Sequence, residues 1–261
     1  MSRVIKTDTS RRVQSWTRCT LPIDESLPIV DEYVEDGPNS WQISLSGLIS
    51  APGYRMSRCG RDIKNLEHVL FAVEWDDDAS LKLFLESPAY AQYLQAFRIH
   101  DSHTPGALFS IFPSFGLAKF SPGRHVTTFI FSFTNPASEE TRRNFHHMQG
   151  LLVSPLLRGP MGLGIPCQTT WVQEPQIGDD GQLVEKAVVV QAWPHTEPPV
   201  LYEAVDKCKW ARDNMRKQVE WINPLRMEET TWTVAKEDIA DEEEGDEDWD
   251  SELEDDTIDE V

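Results

Sequence analysis

The stretch Val69-Leu70-Phe71-Ala72-Val73-Glu74-Trp75 decides the fold, because a close echo of it occurs later in the chain. The echo is Ala187-Val188-Val189-Val190-Gln191-Ala192-Trp193, whose final Trp follows the first one by 118 positions. Each apolar run leads through a polar gap to an aromatic residue, Phe84 or Tyr202, again 118 positions apart. Self-similarity at a fixed offset indicates a repeated unit. The sequence therefore predicts two copies of one strand-then-helix unit packed on each other.

Hydrophobic periodicity and turn residues around the two runs extend each unit. The first unit has predicted strands at 13–21, 54–61, 68–75 and 107–115 and helices at 41–49 and 79–97, where Pro88 is expected to kink or split the second helix. The second has strands at 125–133, 168–174, 187–193 and 225–234 and helices at 138–152 and 199–218. Both follow the β-α-β-β-α-β order of a ferredoxin-like unit.

This order predicts an α+β protein made of tandem ferredoxin-like repeats that form a dimeric α+β barrel within one chain. The expected organisation is a flexible arm at 1–12, repeats at 13–119 and 124–236, and a disordered acidic tail at 237–261. Two four-stranded sheets facing each other would place the helices outside and a pocket within the barrel.

Charge is concentrated at the C-terminus. The chain carries a formal charge of −20 from 44 acidic and 24 basic residues, and sixteen of the acids follow Lys236 without a single Lys or Arg. Such a segment buries too little apolar surface to fold by itself, so we expect it to be solvated or to recruit a basic protein partner. Basic residues occur only as scattered pairs, which argues against a nucleic-acid partner.

The N-terminus is polar, and no apolar window is long enough for a membrane span. The four cysteines are far apart, with no CxxC pair, so neither a structural zinc site nor a disulfide framework is expected. A run at His100-Asp101-x-His103 offers too few ligands for a metal site. These features predict a cytoplasmic protein with free thiols and no metal.

Residues Trp75 to Tyr90, with Trp75, Phe84 and Ser87-Pro88-Ala89-Tyr90, resemble a "W…F…S-P-x-Y" stretch of the antibiotic-biosynthesis-monooxygenase-like dimeric α+β barrel family. Pro52-Gly53 before the second strand resembles the "P-G-x" of that family, in particular of its fused two-repeat forms common in fungi. The resemblance implies either a cofactor-free oxygenase acting on polycyclic phenols or a haem-degrading enzyme. The haem-degrading pattern requires a His on the helix after the third strand, and neither helix supplies one.

Five residues are candidates for a site that the resemblance would place inside the barrel. His68 and His125 stand at strand starts and could act as general bases on a phenolic proton, since an imidazole exchanges protons near neutral pH. Trp75 and Trp193 could stack on an aromatic substrate, and Arg58 would reach a pocket if the strand register is favourable. Each of them could equally be a packing or surface residue.

Two functions remain open. One is a small-molecule tailoring enzyme of monooxygenase type, which acts on an aromatic, polyketide-like compound without a bound cofactor. The other is a non-catalytic barrel that binds or scaffolds partners through its acidic tail. An enzyme needs an open pocket with convergent polar groups, whereas a scaffold is compatible with a filled barrel.

Overall fold

The computed structural model describes residues 12–31, 37–99, 108–111, 116–148, 167–178, 181–193, 217 and 219–236. The predicted arm, most of the predicted helix over 199–218, the run around His100 and the acidic tail lie outside these ranges. None of the helices in the described ranges is long and apolar enough to cross a membrane.

The strands are β1 (Val13–Thr20), β2 (Tyr54–Asp62), β3 (His68–Trp75), β4 (Leu108–Ile111), β5 (His125–Thr134), β6 (Cys167–Trp171), β7 (Gln176–Ile177), β8 (Leu183–Ala192) and β9 (Arg226–Val234). The helices are α1 (Ser40–Ser44), α2 (Ser46–Ile49), α3 (Asp78–Leu85), α4 (Pro88–Ala96) and α5 (Glu139–Met148).

Eight strands follow one another in the antiparallel order β4-β1-β3-β2-β9-β5-β8-β6, and β7 pairs with β8 as an addition. The two ends of this order meet, because Ile111 of β4 bridges Val172 directly after β6. The Gln173 backbone N–H also donates to the Ser110 carbonyl at 3.0 Å. The sheet is therefore a nearly closed barrel.

Each half of the chain supplies four strands in an equivalent arrangement, β4-β1-β3-β2 from the first and β9-β5-β8-β6 from the second. The fold is thus the predicted pair of tandem ferredoxin-like repeats in an α+β barrel. Pro88 splits the predicted helix over 79–97, since it is the first residue of α4, where the missing N–H breaks no helical hydrogen bond. Asp77 caps α3 by accepting from the Ser80 N–H at 2.8 Å.

Three apolar layers follow from the alternation of side chains along the strands. One lies between the first-half strands and α1–α4 and contains Trp75, and another lies between the second-half strands and α5 and contains Phe145. The third draws residues from both halves and fills the barrel interior, with Trp16 and Trp232 as its largest members. The expected pocket within the barrel is therefore wrong for this part of the interior, because large side chains occupy it.

Candidate functional site

The two tryptophans of the sequence echo occupy equivalent places in the two halves. Trp75 ends β3 and pairs with Val13. Trp193 follows β8, and its backbone N–H donates to the His125 carbonyl at 2.8 Å. Each indole N–H donates to a hydroxyl two residues further along the first strand of its half. These bonds run from Trp75 to Ser15 at 2.9 Å and from Trp193 to Thr127 at 2.8 Å.

Both indoles lie on the helix-facing side of the sheet. Trp75 belongs to the helix-side apolar layer of the first half, and the Trp193 partner Thr127 alternates with Val126 of the barrel interior. The prediction that these indoles line the interior of the barrel is therefore wrong, because both point to the helix side of the sheet. The relevant space lies between each four-stranded sheet and its helices.

In the first half this space is packed solid. The Trp75 side chain is fully buried, its ring centroid lies 5.0 Å from that of Phe84, and no room for a water molecule is left beside it. The buried hydroxyls of Tyr93 and Thr17 satisfy each other at 2.5 Å. Burial raises the pKa of Tyr93, so its hydroxyl stays protonated. Trp75 packs here as a core residue, and its role in substrate binding stays a prediction.

In the second half, two positions of this face that are valines in the first half hold polar residues. The strand registers place His125 where the first half has Val13, and Gln191 where it has Val73. Thr127 and Thr231 are paired where the first half has Ser15 and Ser110. The same face of the same fold thus carries an imidazole and an amide in place of two valines.

These polar groups form a row that we call the polar row: His125, Thr127, Thr231, Thr233 and Trp193. His125 is buried, and its Nδ1 lies 3.1 Å from the Thr233 hydroxyl. The hydroxyls of Thr127 and Thr231 lie 2.9 Å apart. The row follows the end of the sheet at which β5 begins, and it offers both donors and acceptors to a ligand.

Further along the same face, the polar row gives way to an aromatic surface. Its members pack around Phe145 of α5, with ring centroids 5.3 to 6.2 Å apart: Phe131, Phe133, Phe145 and Trp171. The Arg142 guanidinium lies 4.5 Å from the centre of the Trp171 ring and pairs with Glu185. Phe131, Phe133 and Phe145 are buried core residues between the second-half strands and α5, and Trp171 is the partly exposed ring beside them.

Two buried polar atoms on this face have no hydrogen-bond partner among the residues that the structure describes: Thr169 Oγ1 and Trp171 Nε1. Both residues belong to β6, and their partners in β8, Val189 and Ala187, are part of the helix-side apolar layer. A buried polar group without a partner costs about 1–3 kcal/mol, and an unplaced ligand is one of the few explanations for it. The first half has no such atom in its described helix-facing layer.

The predicted base candidates are not brought together. His68 starts β3 and is half-exposed, with Nε2 3.1 Å from the Asn65 amide nitrogen. The registers place His68 beside Asp62, which pairs with Trp232, and Trp232 pairs with Val126, so the starts of β3 and β5 lie three strands apart at the same level of the sheet. His68 alternates with Val69 of the helix-side layer, so it lies on the opposite face of the sheet from His125. His125 is the candidate that shares a face with Trp193. Arg58 lies elsewhere, in a cleft beside β2.

No cluster of three or more His, Cys, Asp or Glu side chains that could hold a metal occurs in the described part of the chain. The thiols there are not activated either, because burial raises the pKa of Cys19 and of Cys59 to about 12. The chemistry available on the polar row is therefore hydrogen bonding, proton transfer by an imidazole, and aromatic stacking.

Comparison with known proteins identifies solved structures with a similar fold. No family model and no curated protein matches the chain. An anthrone oxidase-like protein of known structure superposes with a TM-score of 0.53 at 9% identity, over 87% of this chain and 92% of its own length. A candidate monooxygenase from Lactobacillus acidophilus superposes with a TM-score of 0.44 at 9% sequence identity, over 87% of this chain and 96% of its own. A candidate monooxygenase from Fusobacterium nucleatum superposes with a TM-score of 0.47 at 8% sequence identity, over 87% of this chain and 94% of its own. The chain thus shares its α+β barrel fold with the anthrone oxidase-like protein.

Proposed function

We propose that the chain is a monooxygenase-like enzyme that binds a small phenolic aromatic compound between the second-half sheet and its helices. The observation that carries the proposal is the pair of unpartnered buried atoms, Thr169 Oγ1 and Trp171 Nε1, on the face that also holds His125 and Trp193. An indole N–H and a hydroxyl are donors that suit the oxygens of a phenol or an aryl ketone.

The roles follow from the chemistry of each group. His125 accepts the phenolic proton and Trp193 stacks on the ring. Thr169 and Trp171 are level with Phe129 and Phe131, so they offer their donors further along the same face. A phenolate conjugated to an activated methylene reacts with O2 as its own reductant. One oxygen atom converts the CH2 into C=O, and the other leaves as water with the two hydrogens. The electrons balance without a flavin, a metal or an external donor, so the proposal includes no cofactor.

The test measures oxygen uptake and transfer from 18O2 with a hydroxylated anthrone at neutral pH, against a blank without protein. We expect His125→Ala to lower turnover by about 10²-fold or more. His68→Ala is the matched control, because this imidazole is half-exposed and lies on the opposite face of the sheet from His125. A rate equal to the blank, or equal loss in both variants, contradicts the proposal.

The filled barrel interior favours a second candidate, a non-catalytic barrel that recruits a basic partner through its acidic tail. Trp16 and Trp232 occupy the space between the two sheets, as a scaffold allows. Binding of a Lys-rich peptide that disappears on deletion of residues 237–261, together with no ligand on the polar row, would establish this function instead.

A further inference from the structure

A cleft of about 370 Å³ opens beside β2, away from the polar row. It exists because β9 pairs only with Gly60, Arg61 and Asp62, so β2 continues past the end of β9. The cleft is lined along residues 55–59 of β2 and closed by three other segments, which contribute Pro28, Ile29, Val30, Asp31, Pro122 and Ala235. Its volume is within the range of small-molecule sites.

The charge in this cleft is incompletely paired. Arg58 Nε is a buried atom without a hydrogen-bond partner in the described part of the chain. Its Nη1 donates to the Ser57 carbonyl at 2.9 Å and lies 3.8 Å from Asp31 Oδ2, which is beyond hydrogen-bond distance. A guanidinium with a desolvated, unused N–H is costly unless an anion binds it.

Asp31 is already engaged elsewhere. Its Oδ1 accepts from the Tyr54 hydroxyl at 2.6 Å, and its Oδ2 accepts from the Ser57 backbone N–H at 2.5 Å and the Ser57 hydroxyl at 3.1 Å. Arg55, the second arginine of the cleft, donates to Asp76 at 2.7 Å and lies 3.7 Å from Glu74. Arg58 is thus the cation that remains for a ligand.

The rest of the lining selects the ligand class. The apolar part of the lining consists of Pro28, Ile29, Val30, Met56 and Pro122. Covalent chemistry is excluded at Cys59, since burial raises the pKa of its thiol to about 12. A planar carboxylate fits the side of a guanidinium, and an apolar body fits the apolar part of the lining.

We infer that this cleft is a binding site for a small carboxylic acid with an apolar body, its carboxylate held by the partly exposed guanidinium of Arg58. The inference is independent of the proposed function, because the cleft and the polar row share no residue. It assigns a second ligand, chemically different from the neutral phenol.

The experiment is a titration of the full chain with benzoate by NMR at about 0.15 M salt, with benzamide as the uncharged analogue. Salt at this level screens the repulsion between the ligand and the chain, whose formal charge is −20. Arg58→Met should weaken benzoate binding tenfold or more, and benzamide should bind at least tenfold more weakly than benzoate. Arg143→Gln, on the exposed side of α5, should leave the affinity unchanged.

Asp31→Asn provides a test with the opposite sign. The amide oxygen can accept from the Ser57 backbone N–H while the amide NH2 donates to the Tyr54 hydroxyl, and the negative charge that competes for Arg58 is removed. Benzoate should therefore bind severalfold more tightly. This gain keeps the inference testable if Arg58→Met fails to fold. No benzoate binding at millimolar concentration, equal binding of benzamide, or weaker binding by Asp31→Asn would overturn it.

Discussion

The two helix-facing surfaces of the sheet have the same geometry and opposite character. In the first half Trp75 is sealed among aromatic rings, and the Tyr93 and Thr17 hydroxyls satisfy each other. In the second half the matching surface holds His125 and leaves the polar atoms of Thr169 and Trp171 without partners among the described residues. The difference shows that the polar groups of the first-half surface named here are paired, whereas the second-half surface leaves two buried polar atoms without a partner among the described residues.

The largest expected difference concerns the equivalent tryptophans. Trp75→Ala removes a fully buried indole from a packed layer and should lower the free energy of unfolding by about 3–5 kcal/mol. Trp193→Ala removes a partly exposed indole with one hydrogen bond to Thr127 and should cost about 1–2 kcal/mol. Urea unfolding of both variants measures the two costs. Equal losses would show that the second-half surface is packed as tightly as the first.

Alkaline pH should destabilise the protein through the first-half thiols. Burial raises the pKa of Cys59 to about 12 from 9.0, so the folded state keeps a proton that the unfolded state loses above about pH 9. The contribution of the Cys59 thiol to the free energy of unfolding is fully present below pH 9 and declines as the pH rises towards 12. By linkage the loss is about 2 kcal/mol at pH 10.5.

The check is urea unfolding of Cys59→Ala and of the parent chain at pH 8 and pH 10.5. The variant should lose less stability than the parent between the two pH values, whatever its absolute stability. Cys19, whose pKa is also raised to about 12, should act in the same direction. An identical pH dependence for Cys59→Ala would mean that the thiol ionises equally in both states.

A third test compares two buried threonines. Thr17→Val leaves the Tyr93 hydroxyl without its partner and should cost about 1–2 kcal/mol. Thr169→Val removes a hydroxyl that has no partner in the described chain, so stability should stay constant or rise by up to about 1 kcal/mol. Thermal and urea unfolding measure both. A clear loss in Thr169→Val would indicate that its hydroxyl is already satisfied.

The smallest expected effect is that of the acidic tail. Deleting residues 237–261 removes sixteen acids that repel one another, so the midpoint of thermal unfolding should move by only a few degrees, the shift expected for about 1 kcal/mol or less. Differential scanning calorimetry of the two chains measures it. A drop of ten degrees or more would mean that the tail stabilises the barrel.

The fold could be predicted from the sequence because its signals are local. The repeated apolar runs, the acids before α3 and Pro88 at the start of α4 each specify an element within a few residues. The face of the sheet on which the Trp75 side chain lies could not be predicted in the same way. Since residues Val69 to Trp75 of β3 are buried on both faces, the run Val69 to Val73 is apolar throughout and carries no alternation that tells one face from the other.

The candidate site was predictable only in part. His125 and Trp193 stand at the ends of recognisable strands, and the structure joins them through the hydrogen bond from the Trp193 backbone N–H to the His125 carbonyl. Aligning the two repeats would have shown the exchange of Val13 for His125, but not the unpartnered atoms of β6. Whether a buried donor has a partner depends on packing between distant segments, which no local pattern encodes.

The central claim is that a phenolic ligand binds the second-half surface and not the first. Fluorotryptophan-labelled chain, with resonances assigned by Trp171→Phe, Trp193→Phe and Trp75→Phe, allows a 19F NMR titration with a hydroxylated anthrone under anaerobic conditions. The account predicts shifts at Trp171 and Trp193 and an unchanged signal at Trp75. Shifts at Trp75, or none at Trp171 and Trp193 at saturating ligand, would contradict it.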